Sequence, residues 1–306
     1  MKNIKIQLSD EFGRNLSMAT FGEVLKKIRK TRGMRLIDLE GDGISYQSVS
    51  LYEQGKREPS YRTFCALAKR TGSTLEEFQY EMNDYELDEF SSVLAESSML
   101  FYENNIQELK KLLNEEQART DTHEYRQDFT CLMIKNTISR LDPETSLTEE
   151  EKDKIVNYLY NTKNWGYYEL TLLGNTIEVF DSSTLAVLSN ELISRTEYYK
   201  EIPKNKGLII ATLINALGNL IYYDDFDAAI KLKKKIEKLL EGEDLYYRTR
   251  LLFSDGMLDL SMGVNIEEAK KKMQDAILIF KLSGSLRFAE VYQASYDNAV
   301  RDLLGE

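Results

Sequence analysis

Apolar residues recur at helical spacing along almost the whole chain. In FGEVLKKIRKTRG (21–33), Phe21, Val24, Leu25 and Ile28 stand at i, i+3, i+4 and i+7, while Lys26, Lys27, Arg29, Lys30 and Arg32 fall mostly elsewhere. That is the pattern of a helix with one buried stripe. LIDLE (36–40) predicts a short second helix and GDG (41–43) a turn. YQSVSLYE (46–53) predicts a third helix, capped by Ser45 and closed by the Gly, basic residues and Pro of GKREPS. Phe64, Leu67 and Ala68 mark a fourth helix. Thr74 with Glu77 reads as a capping box for a fifth, which turns Leu75 and Phe78 inward. The polar segment EMNDYELDE (81–89) is expected to begin a long joining helix.

Beyond it the periodic segments come in pairs, with helix starts near Thr122, Thr148, Gly166, Ser182, Lys206, Phe226, Leu245, Asn265 and Ser285. Alternate starts at 166, 206, 245 and 285 are separated by 40, 39 and 40 residues. An even period across helix pairs is the mark of an α-solenoid. Thr148 with Glu151 and Asn265 with Glu268 are candidate capping boxes. The expected fold is therefore all-α. A flexible leader at 1–20, with Met18 a candidate start, precedes a five-helix head at 21–80 and a repeat domain at 81–306.

The head carries the first motif. Short helix, glycine turn and second helix over MRLIDLEGDGISYQSVSLYEQGKREPS (34–60) make a helix-turn-helix. Val49 and Tyr52 face the core, which leaves Ser45, Tyr46, Gln47, Ser48 and Leu51 at the end that enters a major groove. There Gln47 can pair with adenine, Ser48 with several base edges, and Tyr46 or Leu51 with a thymine methyl. Arg29, Arg35, Lys56, Arg57 and Arg62 are the candidates for phosphate contacts, which set register without reading sequence. ISYQSVSLYEQGKREPS (44–60) resembles the phage-repressor-like (XRE-type) helix-turn-helix family, with Ile44, Ser45, Val49, Ser50, Glu53, Gly55 and Pro59 at its hallmark positions. It departs at Leu39, where a small residue is usual, and at the additional Gly41.

A second motif lies in ALGNLIYYDDFDAAI (216–230), which resembles the tetratricopeptide consensus. Leu217, Gly218, Asn219, Tyr222, Tyr223, Asp225, Phe226, Ala229 and Ile230 fill its positions. The resemblance implies that Gly218 lets two helices approach and that Asn219, on the inner helix, grips the backbone of an extended peptide. An amide both donates and accepts, so it reads a peptide bond whatever the side chains are. Asn175 in LLGN, Asn136 in LMIKN and Asn215 one turn before Asn219 extend the set, with Tyr222, Phe253 and Met257 as apolar neighbours. The same amides can instead satisfy helix ends inside the solenoid. Trp165 reads as packing more readily than as a ligand contact.

Together with NWGYYELTLLGN (164–175) and the chain length, the two motifs resemble the Rgg (GadR/MutR) family of regulators of Gram-positive bacteria. The resemblance implies a cytoplasmic homodimer that binds promoter DNA and is controlled by a short signalling peptide on the concave face of its repeats (quorum sensing). The C-terminal helix SLRFAEVYQASYDNAVRDLL (285–304) is a candidate dimer interface. The alternative is a helix-turn-helix regulator without a peptide ligand, controlled by a protein partner.

Charge sharpens this division. The first 80 residues hold 14 Lys and Arg against 10 Asp and Glu, a balance of +4, in a chain of net charge −11, so the remainder carries −15. A basic head on an acidic body suits one domain meeting nucleic acid. The most apolar stretch, 207–223, is interrupted by Thr212, Asn215 and Asn219, and predicts a protein-buried helix rather than a membrane span. Cys65 and Cys131 are too few and too far apart for a disulfide framework or zinc site and are expected as buried free thiols. With His123 the one histidine and no phosphate loop or nucleophile elbow, nothing calls for an enzyme, a metal or a cofactor.

Overall fold

The computed structural model describes residues 8–9, 15–16, 19–120 and 124–305. The helix start expected near Thr122, and His123, lie outside the described residues. Two compact units result, residues 1–96 and 97–306. Within the first twenty residues, β1 (Leu8–Ser9) and β2 (Asn15–Leu16) pair antiparallel.

The first unit holds α1 (Phe21–Thr31), α2 (Tyr46–Glu53), α3 (Tyr61–Thr71), α4 (Leu75–Met82) and the first half of α5 (Glu89–Tyr102). Thr20 closes a capping box with Glu23 at the start of α1, and Thr74 does the same with Glu77 for α4. Val24, Leu25, Leu39, Val49, Leu67 and Phe78 form the core. Phe21 stacks on Phe78 at 5.3 Å, and Phe64 meets both rings edge-on. The second expected helix is only a 3₁₀ turn, Leu36–Leu39. Gly33 (φ +66°) and Gly41 (φ +132°) bracket it, and both backbones lie where L side chains are strained. Leu39, the departure from the family pattern, is fully buried.

The joining helix is α5, which spans the boundary between the units but begins at Glu89, at the end of the segment expected to start it. Asp84 (φ +53°) and Tyr85 (φ +66°) are successive left-handed residues after α4, and Asp88 then caps α5 through the Ser91 N–H at 3.1 Å. A left-handed pair cannot continue a right-handed helix.

The second unit contains α6 (Ile106–Ala118), α7 (Glu124–Ser139), α8 (Glu149–Asn161), α9 (Tyr167–Thr176), α10 (Ser182–Arg195), α11 (Pro203–Tyr222), α12 (Phe226–Leu239), α13 (Leu245–Ser261), α14 (Ile266–Leu282) and α15 (Leu286–Leu304). Helix α7 packs on α9, α9 on α11, α11 on α13, and α13 on α15, so the odd-numbered helices form one continuous row. This is the solenoid arrangement. Thr148 and Glu151 form their capping box, but Asn265 does not cap α14. Its backbone is left-handed (φ +47°), and it turns the chain after Gly263 instead.

The close helix approaches fall at glycines other than Gly218. A Cβ on Gly256 would stand 2.7 Å from the Ala269 carbonyl of α14, and one on Gly174 3.0 Å from Thr212 Oγ1 of α11. A Cβ on Gly218 would meet nothing within 4 Å, because this glycine faces open space. Both cysteines are free, and Cys131 is buried while Cys65 is only half-buried. Desolvation, with Glu116 and Asp128 nearby, pushes the Cys131 thiol up to about 12, so it stays protonated and inert at neutral pH.

Candidate functional sites

In the first unit, Ser45 caps α2 by accepting from the Ser48 N–H at 3.2 Å, and the two hydroxyls lie 3.1 Å apart. Tyr46, Gln47 and Leu51 project from α2 as exposed side chains, while Val49 and Tyr52 are buried on its opposite face. One side of a two-turn helix is thus committed to the core and the other is free to read an edge. Lys56, Arg57 and Arg62 are exposed and make no ion pair among the described residues. Arg35 is exposed but held by Asp38 at 2.9 Å.

Arg29 leaves the phosphate set. Its Nε and Nη2 donate to the two oxygens of Glu53 at 2.6 and 2.8 Å, and its Nη1 donates to the Met34 carbonyl at 2.8 Å. A buried arginine with a bidentate carboxylate is a strut between α1 and the end of α2, not a free cation. Two residues of the head escaped the sequence reading. Gly22 is where α1 crosses α2, and nothing in its own segment marks it. Tyr61 begins α3 next to Arg62 with 73% of its surface exposed. An aromatic outside the apolar stripe of its helix was the available signal.

In the second unit, a groove of about 760 Å³ runs along the odd-numbered helices. Its lining includes all seven residues singled out from sequence: Asn136 on α7, Asn175 on α9, Asn215, Asn219 and Tyr222 on α11, and Phe253 and Met257 on α13. The four amides are not equivalent. Asn136 Nδ2 donates to the Asn175 carbonyl at 2.7 Å and so ties α7 to α9. Asn175 Nδ2 donates to the Thr171 carbonyl of its own helix at 2.8 Å. Asn215 Oδ1 accepts from Arg250 Nη2 at 2.7 Å. The Asn219 side-chain amide has no hydrogen-bond partner among the described residues and is only half-buried. The expected ladder of amides therefore reduces to one wholly unspent amide, because Asn136 and Asn175 spend their donors inside the solenoid and Asn215 spends its acceptor on Arg250. A polar group with access to a groove and no partner is one that a ligand satisfies without displacing an internal bond.

The hydrophobic neighbours also differ. Tyr222 is 82% exposed, whereas Phe253 is buried edge-on against Tyr292 at 4.7 Å, and so forms the floor. Trp165 does not line the groove and is fully buried. The sequence reading missed Arg140 and Arg250, the two cations in the lining. No helix among the described residues is long and apolar enough to cross a membrane.

A helix-turn-helix head followed by a row of helix pairs defines a two-unit transcriptional regulator. The chain belongs to the Rgg family: residues 109–294, more than half of it, match the C-terminal domain of the HTH-type transcriptional regulator Rgg. Residues 25–78 match a helix-turn-helix family. Among solved structures, it resembles the SHP pheromone receptor Rgg2 of Streptococcus dysgalactiae, with 28% identity over 91% of this chain and 99% of that one, and a TM-score of 0.76. PrgX in complex with cCF10 shares the fold at 16% identity, 92% coverage of both chains and a TM-score of 0.70. ComR of S. thermophilus, in complex with DNA and its signalling peptide ComS, shares it at 16% identity over 92% of this chain and 99% of that one, with a TM-score of 0.61. The family consists of transcriptional regulators, not enzymes.

Proposed function

We propose that a short signalling peptide lies along the groove of the second unit and sets the activity of a promoter-binding head, in a cytoplasmic homodimer. One observation carries this reading. Seven residues chosen from sequence for peptide contact, spread over 122 positions from Asn136 to Met257, line a single groove in which the Asn219 amide is unspent. The relatives add support: Rgg2 is a pheromone receptor, and ComR forms a complex with DNA and its signalling peptide. Asn219, Asn215, Tyr222 and Met257 are the contacts of the peptide in this reading, over a floor that includes Phe253. In the head, Tyr46, Gln47, Ser48 and Leu51 read bases, and Lys56, Arg57 and Arg62 hold phosphates. Two heads on two half-sites gain affinity by linkage, and exposed Leu286 and Val291 on α15 suit a dimer contact.

Thermal melting in the presence of fractionated culture peptides tests the reading. One fraction should stabilise the wild type by about 2.7 kcal/mol at a hundredfold excess over Kd, and Asn219→Ala should lose most of that shift. In the same preparations, Arg57→Ala should weaken promoter binding across sequences and lower the salt slope by about 1. If no fraction shifts the wild type while promoter binding is intact, the peptide reading fails and the groove belongs to another partner.

A further inference from the structure

The two cations of the groove differ in what neutralises them. Arg140 faces Glu178 at 3.4 Å, and its guanidinium lies 4.2 Å from the Phe101 ring. Arg250, on α13, has no carboxylate within ion-pair distance among the described residues. Its partners are neutral. Nε donates to Tyr292 Oη of α15 at 3.0 Å, and Nη2 donates to Asn215 Oδ1 of α11 at 2.7 Å. Tyr246, one turn earlier, places its ring 5.6 Å from the guanidinium carbon. Three helices therefore fix the orientation of this guanidinium, yet Nη1 keeps its donors unspent. Arg250, Phe253, Ser254 and Met257 stand at i, i+3, i+4 and i+7, so one face of α13 carries the cation and the apolar floor together. The surroundings make the arrangement unusual, because residues 81–306 carry a net charge of −15. In an acidic body, an oriented arginine facing a groove with neutral partners lacks only an anion.

We propose that Arg250 is the carboxylate-binding position of the groove, and that the bound peptide presents an anionic group to it. This rests on the peptide reading above and adds the chemistry of the ligand. Two sources supply the same group, a free C-terminus or an Asp or Glu side chain. Tyr292 and Asn215 hold the guanidinium in place, and the carboxylate takes the remaining donors.

The test uses the full-length chain and octapeptide libraries randomised over Ala, Ile, Leu, Val, Phe, Ser, Thr and Gly, all N-acetylated. One library ends in an amide, one in a free carboxylate, and one in an amide with a single Asp scanned through the positions. Retained peptides are counted by mass spectrometry after gel filtration with wild type, Arg250→Gln and Arg250→Lys. The wild type should prefer carboxylate-bearing peptides on the order of ten- to a hundredfold over the uncharged library. Arg250→Gln should lose that preference while still retaining apolar peptides, and Arg250→Lys should keep part of it. A purely structural strut would lower overall retention without changing the preference, so the ratio separates the two roles. Whether the second or third library is enriched names the source of the carboxylate. Equal retention of charged and uncharged libraries by the wild type, or an unchanged preference in Arg250→Gln, overturns the assignment and leaves the peptide reading intact. If no library is retained, both fall together.

Discussion

Gly22→Ala is expected to destabilise the head and to remove most promoter binding, although a methyl group is all it adds. Two effects of opposite sign compete. Alanine is the better helix former, by about 1 kcal/mol in a helix interior, so propensity alone predicts a more stable α1. Packing opposes it. The added Cβ would stand 2.0 Å from the Tyr52 carbonyl oxygen, 3.0 Å from its carbon and 3.1 Å from Glu53 Cα. All three are backbone atoms, so no side chain can swing aside. The Tyr52 carbonyl also accepts the Gly55 N–H at 2.9 Å, which closes α2. Relief therefore requires α2 to move away from α1. That movement strains the Arg29–Glu53 pair and carries Tyr46, Gln47 and Leu51 with it. Overpacking costs about 1–3 kcal/mol or more, which outweighs the gain in propensity. Thermal melting of the full chain, with promoter affinity measured at one fixed salt concentration, checks both consequences. An unchanged melting temperature together with unchanged affinity would show that α1 and α2 do not cross at Gly22.

Trp165→Ala should cost about 3–5 kcal/mol, the range for emptying a fully buried large aromatic site. More than volume is lost. Trp165 Nε1 donates to the Leu159 and Thr162 carbonyls, each at 3.1 Å. Arg195 Nη1 reaches the Leu159, Tyr160 and Thr162 carbonyls at 3.1, 2.7 and 2.7 Å. The end of α8 would leave its last carbonyls without intrahelical partners, and an indole and a guanidinium satisfy them from outside. Trp165→Phe retains most of the ring and loses the donor. It should cost about 1–3 kcal/mol, the range for a buried acceptor left short of a partner. Circular dichroism melting of both variants measures the two losses. Peptide binding by Trp165→Phe should match the wild type, because the indole is not part of the groove. A melting temperature unaffected by Trp165→Ala would contradict the buried position.

Much of the architecture was legible because its signals are local. Ser45, Thr74 and Thr148 cap the helices expected of them, since a cap bonds to a backbone N–H three residues away. The stripe of Val24, Leu25 and Ile28 marks a buried face from spacing alone. The helix-turn-helix and the row of helix pairs follow from such short-range rules, and the seven groove residues followed from positions within a repeat. The joining helix begins at Glu89 and not earlier in 81–89, because Asp84 and Tyr85 take left-handed backbones that residue pattern does not require.

What stayed hidden depends on which residues meet across long separations. By itself, the chain determined where most of its helices lie, which faces are apolar, and that one end is basic and the other acidic. Only the tertiary structure decided that Arg29 belongs to Glu53, that Gly22 and Gly256 rather than Gly218 mark close crossings, and that Asn136 and Asn175 spend their donors while Asn219 does not. The physical reason is that a backbone bonds mainly with neighbours three or four residues away, whereas the partner of a side chain is set by packing. Arg29 and Glu53 are 24 positions apart, and Asn136 and Asn175 are 39. Which polar group remains free for DNA or a ligand is known only after every such internal partner has been assigned.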